Sequence, residues 1–348
     1  MKKISVVVPC HNVSIYLEKC MDHLIHQTIG MQNIEIILVD DASTDEGATW
    51  NRIMKYETMF PDTVIAIQLS ENLRQGGARN VGISYAGAEY LMFCDADDWI
   101  LLDAMECLYD KAKEYDADVI EYRMTRVDDN TDFSLLSTEE GEKSHLLELD
   151  TEEKRKAYLI ISTPNCSLGC MRKLYRMSMI QDNHIQFAEH LAHQEPAFTL
   201  PVRLYEKRHY FLDRLLYFYY MSPDSTTRGN WENRKLDNVQ VWETLVRDVK
   251  QRGLLEPYYD ELSYIYFRWG YELSIRMILQ RGYCLTADII KRFRESLLGF
   301  FPDIRENSYV TRKREAFSLL LASLDMQLTE ENVQVMNTAF QKQLVFRQ

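Results

Sequence analysis

No stretch of this sequence approaches the ~20 consecutive apolar residues that carry a helix across a bilayer. The N-terminal apolar run, Ile4 to Val8, ends at Pro9 and is too short for the core of a signal peptide. Cysteine supplies no paired ladder: the seven, at 10, 20, 94, 107, 166, 170 and 284, are odd in number and sit mostly within apolar or helical patterns. Cys166 and Cys170 lack a matching second pair, which speaks against a zinc site. Together these absences point to a reduced, soluble protein of the cytoplasm. Positive charge is also in deficit. With 40 Lys+Arg against 53 Asp+Glu and a net charge of -13, a broad nucleic-acid surface is not expected. A single anionic small molecule remains compatible, because local arrangement decides that.

What is present is ordinary globular material, 46% hydrophobic and 27% charged, in a chain of 348 residues, more than one core of typical size holds. Two domains are expected. The first part alternates short β-branched runs with helical spacing. Ile4–Val8, Ile34–Val39, Val64–Leu69 and Tyr90–Cys94 read as strands. Leu17, Cys20, Met21, Leu24 and Ile25 line one face of a helix that Ser14 is placed to cap. Helices are also expected through Trp50, Ile53 and Met54, and from Gly76 to Ala86. This order predicts a mostly parallel central sheet with flanking helices. The middle is mixed, with Val127–Asp150 a loop or weak hairpin. From Trp231 the pattern is helical, so the domains are placed at 1–230 and 231–348.

In such sheets ligands sit at the carboxyl ends of the strands. Polar clusters fall at those ends: His11-Asn12, Asp40-Asp41 and Asp95-Ala96-Asp97-Asp98. The last delivers three carboxylates within four residues. Like charges this close raise one another's pKa unless a cation compensates. Mg²⁺ commonly takes one or two carboxylates and completes its shell with water and phosphate. A helix N-cap at Asp98 is the competing reading. A dinucleotide fold wants G-x-G-x-x-G after the first strand, but Val8-Pro9-Cys10-His11-Asn12 has no glycine there.

These motifs together resemble the family-2 glycosyltransferases of bacterial polysaccharide type, which have the glycosyltransferase A fold. The resemblance runs through Ile4–Asn12, Gln27-Thr28, Ile37–Asp45, Asn72, Ala78-Arg79-Asn80-Val81-Gly82, Asp95–Trp99, Lys173–Arg176 and Ser225–Thr227, about two-thirds of the chain. It implies an inverting, metal-dependent transfer of a sugar from a nucleotide diphosphate, with uridine favoured, to a glycan or lipid-linked glycan hydroxyl. By the same resemblance Pro9, His11 and Asp41 would line the base pocket with Asp40 beside them. Arg79 would lie along the cleft, Asp95 would meet the ribose, and Asp97 would bind Mn²⁺ or Mg²⁺. Glu195, in Gln194-Glu195 where Glu-Asp is usual, would be the catalytic base. Arg74 and Tyr220 also depart from the pattern.

Other features carry two readings each. His190, His193 and His209 are extra metal ligands or plain surface or hydrogen-bonded residues. Gly76-Gly77 is a phosphate cradle or a flexible turn. Lys291–Arg294 and Arg312–Arg314 are a solvated helix face or a peripheral contact with an anionic membrane. Tyr264–Tyr271 is core or a carbohydrate platform. At the level of function, a non-catalytic nucleotide-sugar binder with a drifted base is the main alternative. A nucleotidyltransferase is a third reading, but its Gly-rich, lysine-bearing loop is absent.

Overall fold

A computed structural model of the chain describes residues 1–162, 168–221 and 234–345. Cys166, Ser225–Thr227 and Trp231, singled out above, lie outside the described residues. The chain divides into two compact units: Met1–Arg155 with Ser167–Gly229, and Lys156–Cys166 with Asn230–Gln348.

The first unit begins with β1 (Ile4–Cys10), α1 (Leu17–Ile25), β2 (Ile34–Asp40), α2 (Ala48–Met59), β3 (Val64–Gln68), α3 (Arg74–Tyr85) and β4 (Tyr90–Phe93). The four strands are parallel and lie in the order β3-β2-β1-β4. Register runs from Ile4 opposite Ile34 to Cys10 opposite Asp40. The chain continues through β5 (Trp99–Ile100), α4 (Ala104–Glu114), β6 (Val119–Val127), β7 (His145–Glu148), α5 (Glu152–Ser162, of which Lys156 onward belongs to the second unit), β8 (Lys173–Arg176), α6 (Met177–Asp182), α7 (Glu195–Tyr205) and β9 (Arg208–Tyr220). The sheet extends beyond β4 as β8-β6-β9-β5, with β7 also on β9. Here β8 is antiparallel to both neighbours, β6 and β9 are parallel, and β5 and β7 are antiparallel to β9. The sheet is thus parallel in its first half and mixed in its second. The stretch read as a loop or weak hairpin supplies β7.

Both faces of the parallel half are covered, which is why its strands read as continuous apolar runs. Val6 and Val8 pack with Leu17, Cys20, Met21 and Leu24 of α1 and with Met105 and Leu108 of α4. Val7, Ile37 and Val39 face the other way, toward Ala78, Ile180, Phe198 and Val202. Each such side chain fully removed from water contributes about 1.5–3 kcal/mol. Two capping expectations fail. The residue before α1 is Tyr16, with no side-chain cap, and Ser14 instead bonds Asp45. Helix α4 starts at Ala104, after β5, so Asp98 caps nothing.

The second unit carries α8 (Asp237–Gln251), α9 (Tyr259–Ile265), a π-helical turn at Tyr266–Glu272, α10 (Leu273–Gln280), α11 (Ala287–Phe300), α12 (Ser308–Thr311), α13 (Ser318–Asp325) and α14 (Glu330–Val345). The Val239, Trp242, Leu245, Val246 and Val249 face is buried. Tyr264, Tyr266, Phe267 and Tyr271 are buried too, so that cluster is core and not a platform. Part of the first basic cluster is spent internally: Arg292 forks onto Glu243 at 2.6 and 2.8 Å, and Arg294 donates to the Ser323 and Met326 carbonyls. Arg312, Lys313 and Arg314 are exposed. No helix among the described residues is long and apolar enough to cross a membrane.

Candidate active site

Because β1, β2 and β4 are parallel neighbours, the loops after them share one edge of the sheet. Those after β1 and β2 are stitched together. The Asp41 N–H donates to the Cys10 carbonyl at 2.7 Å, and His11 Nδ1 lies 2.8 Å from the Asp41 carbonyl. Asn72 Nδ2 donates to that same carbonyl at 3.2 Å, bringing in the loop before α3. The Thr44 N–H closes on Asn12 Oδ1 at 2.8 Å. Asn12, Ala42 and Arg74 all hold positive φ, of 55°, 50° and 61°. Backbone held in this region by non-glycine residues gathers at functional sites.

The paired acids have different places. Asp40 is buried and takes the Ser43 N–H and hydroxyl at 3.1 and 2.5 Å on one oxygen and Gln68 at 3.2 Å on the other. It ties its own turn. Asp41 receives the Leu73 N–H at 2.7 Å, and burial raises its pKa against the pull of that bond and of His11. Pro9 is buried within β1, opposite Val39.

The acidic motif splits three ways. Asp95 meets Arg79 at 2.6 Å. Arg79, on α3, is fully buried, lies over the Phe93 and Phe187 rings at 5.9 and 5.5 Å, and among the described residues has no hydrogen-bond partner at Nε or Nη1. Asp98 points inward. It accepts the Tyr217 hydroxyl at 2.5 Å and the Tyr220 N–H at 2.8 Å, and burial with the neighbouring Asp95 and Asp97 pushes its pKa far up. Asp97 is partly exposed and, among the described residues, takes no side-chain donor from the protein. Burial, then the charge of Asp95, raises its pKa to about 6.

No three His, Cys, Asp or Glu side chains among the described residues converge to cage a metal ion. His209 is buried against Glu206 at 2.9 Å, and His190 is exposed. A cation here would need phosphate or water for most of its shell. The donor chemistry of Asp97, an unclaimed carboxylate with a raised pKa, fits that arrangement.

Glu195 is the first residue of α7, after Gln194. The strand of chain leading to it is anchored on α3. Asn80 exchanges two bonds with the Phe187 backbone, at 3.0 and 2.8 Å, and the His190 N–H donates to the Leu73 carbonyl. Gly76 makes the approach possible: a Cβ there would stand 2.4 Å from the Ala188 carbonyl oxygen and 2.6 Å from Gln194 Cγ. Gly76 and Gly77 therefore lie inside a helix against which another segment packs, not in a flexible turn. Glu195 is partly exposed, and burial raises its pKa, with the Arg79 charge opposing and Asp95 assisting. Arg79, Asp95 and Glu195 thus form one electrostatic group. A carboxylate of raised basicity beside a fixed cation can accept a proton while an anionic ligand is held nearby.

The sequence reading missed Tyr217, whose hydroxyl donates to Asp98 and accepts the Asp95 N–H at 3.2 Å. Only the pairing of β5 with β9, Trp99 opposite Phe218, brings it under the motif. Lys173 is buried beside Glu121 at 3.7 Å, and Arg176 pairs with Asp118 and Asp116, so these residues brace the sheet.

A family model described as Glycosyl transferase family 2 matches residues 5–181. Glycosyltransferase GlyA of Streptococcus pneumoniae serotype 4 is 42% identical over 117 residues, 34% of this chain and 16% of that protein. The poly(ribitol-phosphate) beta-glucosyltransferase of Bacillus spizizenii is 28% identical over 207 residues, 59% of this chain and 30% of its own length. The chain thus spans well under half of these curated relatives. Among solved structures, Staphylococcus aureus TarS 1-349 in complex with UDP-GlcNAc superposes with a TM-score of 0.69 at 20% identity, covering 98% of this chain and 92% of that one. At that identity the likeness is one of fold.

Proposed function

The chain belongs to glycosyl transferase family 2, and from that premise we propose that it is an inverting glycosyltransferase moving a sugar from a UDP-sugar to a hydroxyl of a glycan or lipid-linked glycan in cell-surface polysaccharide synthesis. The observation that carries this reading is the group of Arg79, Asp95 and Glu195 beside the unclaimed Asp97. Pro9, His11 and Asp41 would face the uracil, with Asp40 holding their turn. Asp95 would meet the ribose. Mn²⁺ or Mg²⁺ held at Asp97 would offset charge on the diphosphate. Glu195 would take the proton of the acceptor hydroxyl as its oxygen bonds to the anomeric carbon. The carbon–oxygen bond to the diphosphate breaks on the opposite face, its electron pair leaving with UDP, so configuration inverts. The uridine donor is supported by the TarS complex with UDP-GlcNAc. Residues to about 230 would form the catalytic domain, with the helical region beyond as a separate domain.

The test uses nucleotide release from UDP-sugars, with and without added acceptor. Glu195→Gln is expected to lower turnover by 10²–10⁴-fold, the usual worth of a positioned base, while UDP still raises the melting temperature. Full activity in that variant sinks the base assignment. Nucleotide binding with no turnover in the parent chain favours a non-catalytic nucleotide-sugar binder.

A further inference from the structure

A row of aromatic rings leads from the acidic motif to the surface. Trp99, next to Asp98, stacks on Phe218 with centroids 5.8 Å apart. It also meets Phe133 and Tyr220, each at 6.2 Å, and Tyr220 reaches Tyr16 at 6.0 Å. The row is fixed to the motif, since the Tyr220 N–H is the one donated to Asp98. Trp99 and Phe218 are buried and pack with Val127 and Leu215, which suffices to explain them. Tyr220 packs against the same cluster, and the apolar surface left open lies at the outer end of the row. Phe133 is 48% exposed and Leu135 80% exposed. Both sit on the loop after β6, which otherwise carries Asp128, Asp129 and Asp132.

We propose that this rim is the acceptor subsite and that it takes the uncharged pyranose ring of a glycan. The inference rests on the glycosyltransferase reading and adds where the glycan acceptor is held and that it is uncharged. One face of a pyranose presents C–H bonds and its edge presents hydroxyls. Aromatic faces carry negative charge density that attracts such C–H groups. Asp129, which accepts the Tyr220 hydroxyl at 2.7 Å, sets a carboxylate at the edge of the rings where sugar hydroxyls can donate. The same charges repel other occupants. Asp128, Asp129 and Asp132 on the same loop oppose both a polyol-phosphate polymer and an anionic bilayer. Lys19, a cation beside these rings, already lies 3.1 Å from the Trp99 ring centroid. The expected acceptor is therefore neutral, unlike the poly(ribitol-phosphate) in the name of the Bacillus spizizenii relative.

The full chain, with UDP, is applied to immobilised maltohexaose, cellohexaose and chitohexaose, to ribitol-phosphate oligomers, and to vesicles containing anionic lipid. Retention on at least one neutral oligosaccharide is expected, falling about tenfold in the Phe133→Ser, Leu135→Ser double variant, the worth of one aromatic contact. Both side chains are exposed, so the fold is kept. Unchanged stabilisation by UDP-GlcNAc confirms that only the rim was altered. Retention confined to ribitol phosphate or vesicles, retention that survives the double variant, or no retention on any neutral oligosaccharide overturns the inference. Failure of the donor reading looks different: no nucleotide sugar shifts the melting temperature, whatever the oligosaccharides do.

Discussion

Replacing Asp97 by asparagine is expected to stabilise the ligand-free protein at neutral pH while removing its response to divalent cations. The reasoning starts from the carboxyl's raised pKa of about 6, against an ordinary 3.8, caused by burial and by Asp95. Well below pH 3.8 the group is protonated in both folded and unfolded chains and contributes nothing. Between about 4 and 6 the unfolded chain gives up the proton and the folded one keeps it, so stability falls as pH rises. Above about 6 the penalty is complete. At 1.36 kcal/mol per pH unit the gap is worth about 3 kcal/mol, and partial exposure brings the expected value to about 2 kcal/mol. The substitution would also relieve Asp98, whose carboxyl is pushed up partly by Asp97.

Thermal melts of both forms in EDTA, at pH 4 and pH 7.5, measure this. A folding unit the size of the first gains about 2–4 °C per kcal/mol, so the variant should melt roughly 4–8 °C higher at pH 7.5 and only about 1 °C higher at pH 4. Adding Mn²⁺ with UDP should narrow the difference by stabilising the parent more than the variant, since a ligand of the native state shifts stability by mass action. Equal melting at pH 7.5, or a gain that persists undiminished at pH 4, would refute the claim that Asp97 is a charge held at a cost.

Two further substitutions test how the site is held. Tyr217→Phe removes the hydroxyl that donates to Asp98 and accepts the Asp95 N–H; a loss of about 1–3 kcal/mol is expected in urea titration of the full chain, and no change there removes the case for Tyr217 as the motif's anchor. Gly76→Ala places a Cβ 2.4 Å from the Ala188 carbonyl oxygen; overpacking of this kind costs about 1–3 kcal/mol, and because the displaced segment leads to Glu195, turnover should fall more than UDP affinity does. Equal falls in both would point to general loosening instead.

The parallel half of the sheet was legible because its strands are buried on both faces, and so was the edge at which its polar loops gather. Once Ile4–Cys10, Ile34–Asp40 and Tyr90–Phe93 are recognised as parallel neighbours, the loops that follow them must share that edge. The second half was not legible, because its partners are distant in sequence and its pairings switch direction. Trp99–Ile100 is only two residues long and finds its partner in Phe218 and Tyr217. No local pattern reports that. The same blindness explains Asp98. Three acids in a row of four look alike on paper, and only the β9 partner separates the one turned inward from the other two.

That separation bears on why the motif carries more acid than a cation site needs. Asp98, which burial and its acidic neighbours push toward the protonated form, has both oxygens taken by Tyr217 and Tyr220, and these bonds fix the turn. Asp95 is compensated by Arg79, a cation that two aromatic rings hold in place and that no water reaches. Of the three, Asp97 is left without a partner side chain among the described residues. The fold therefore stores its electrostatic cost at one carboxylate, and a ligand that brings positive charge recovers it. Had Arg79 stood beside Asp97 instead, the apoprotein would be more stable and the site would have nothing left with which to attract a cation.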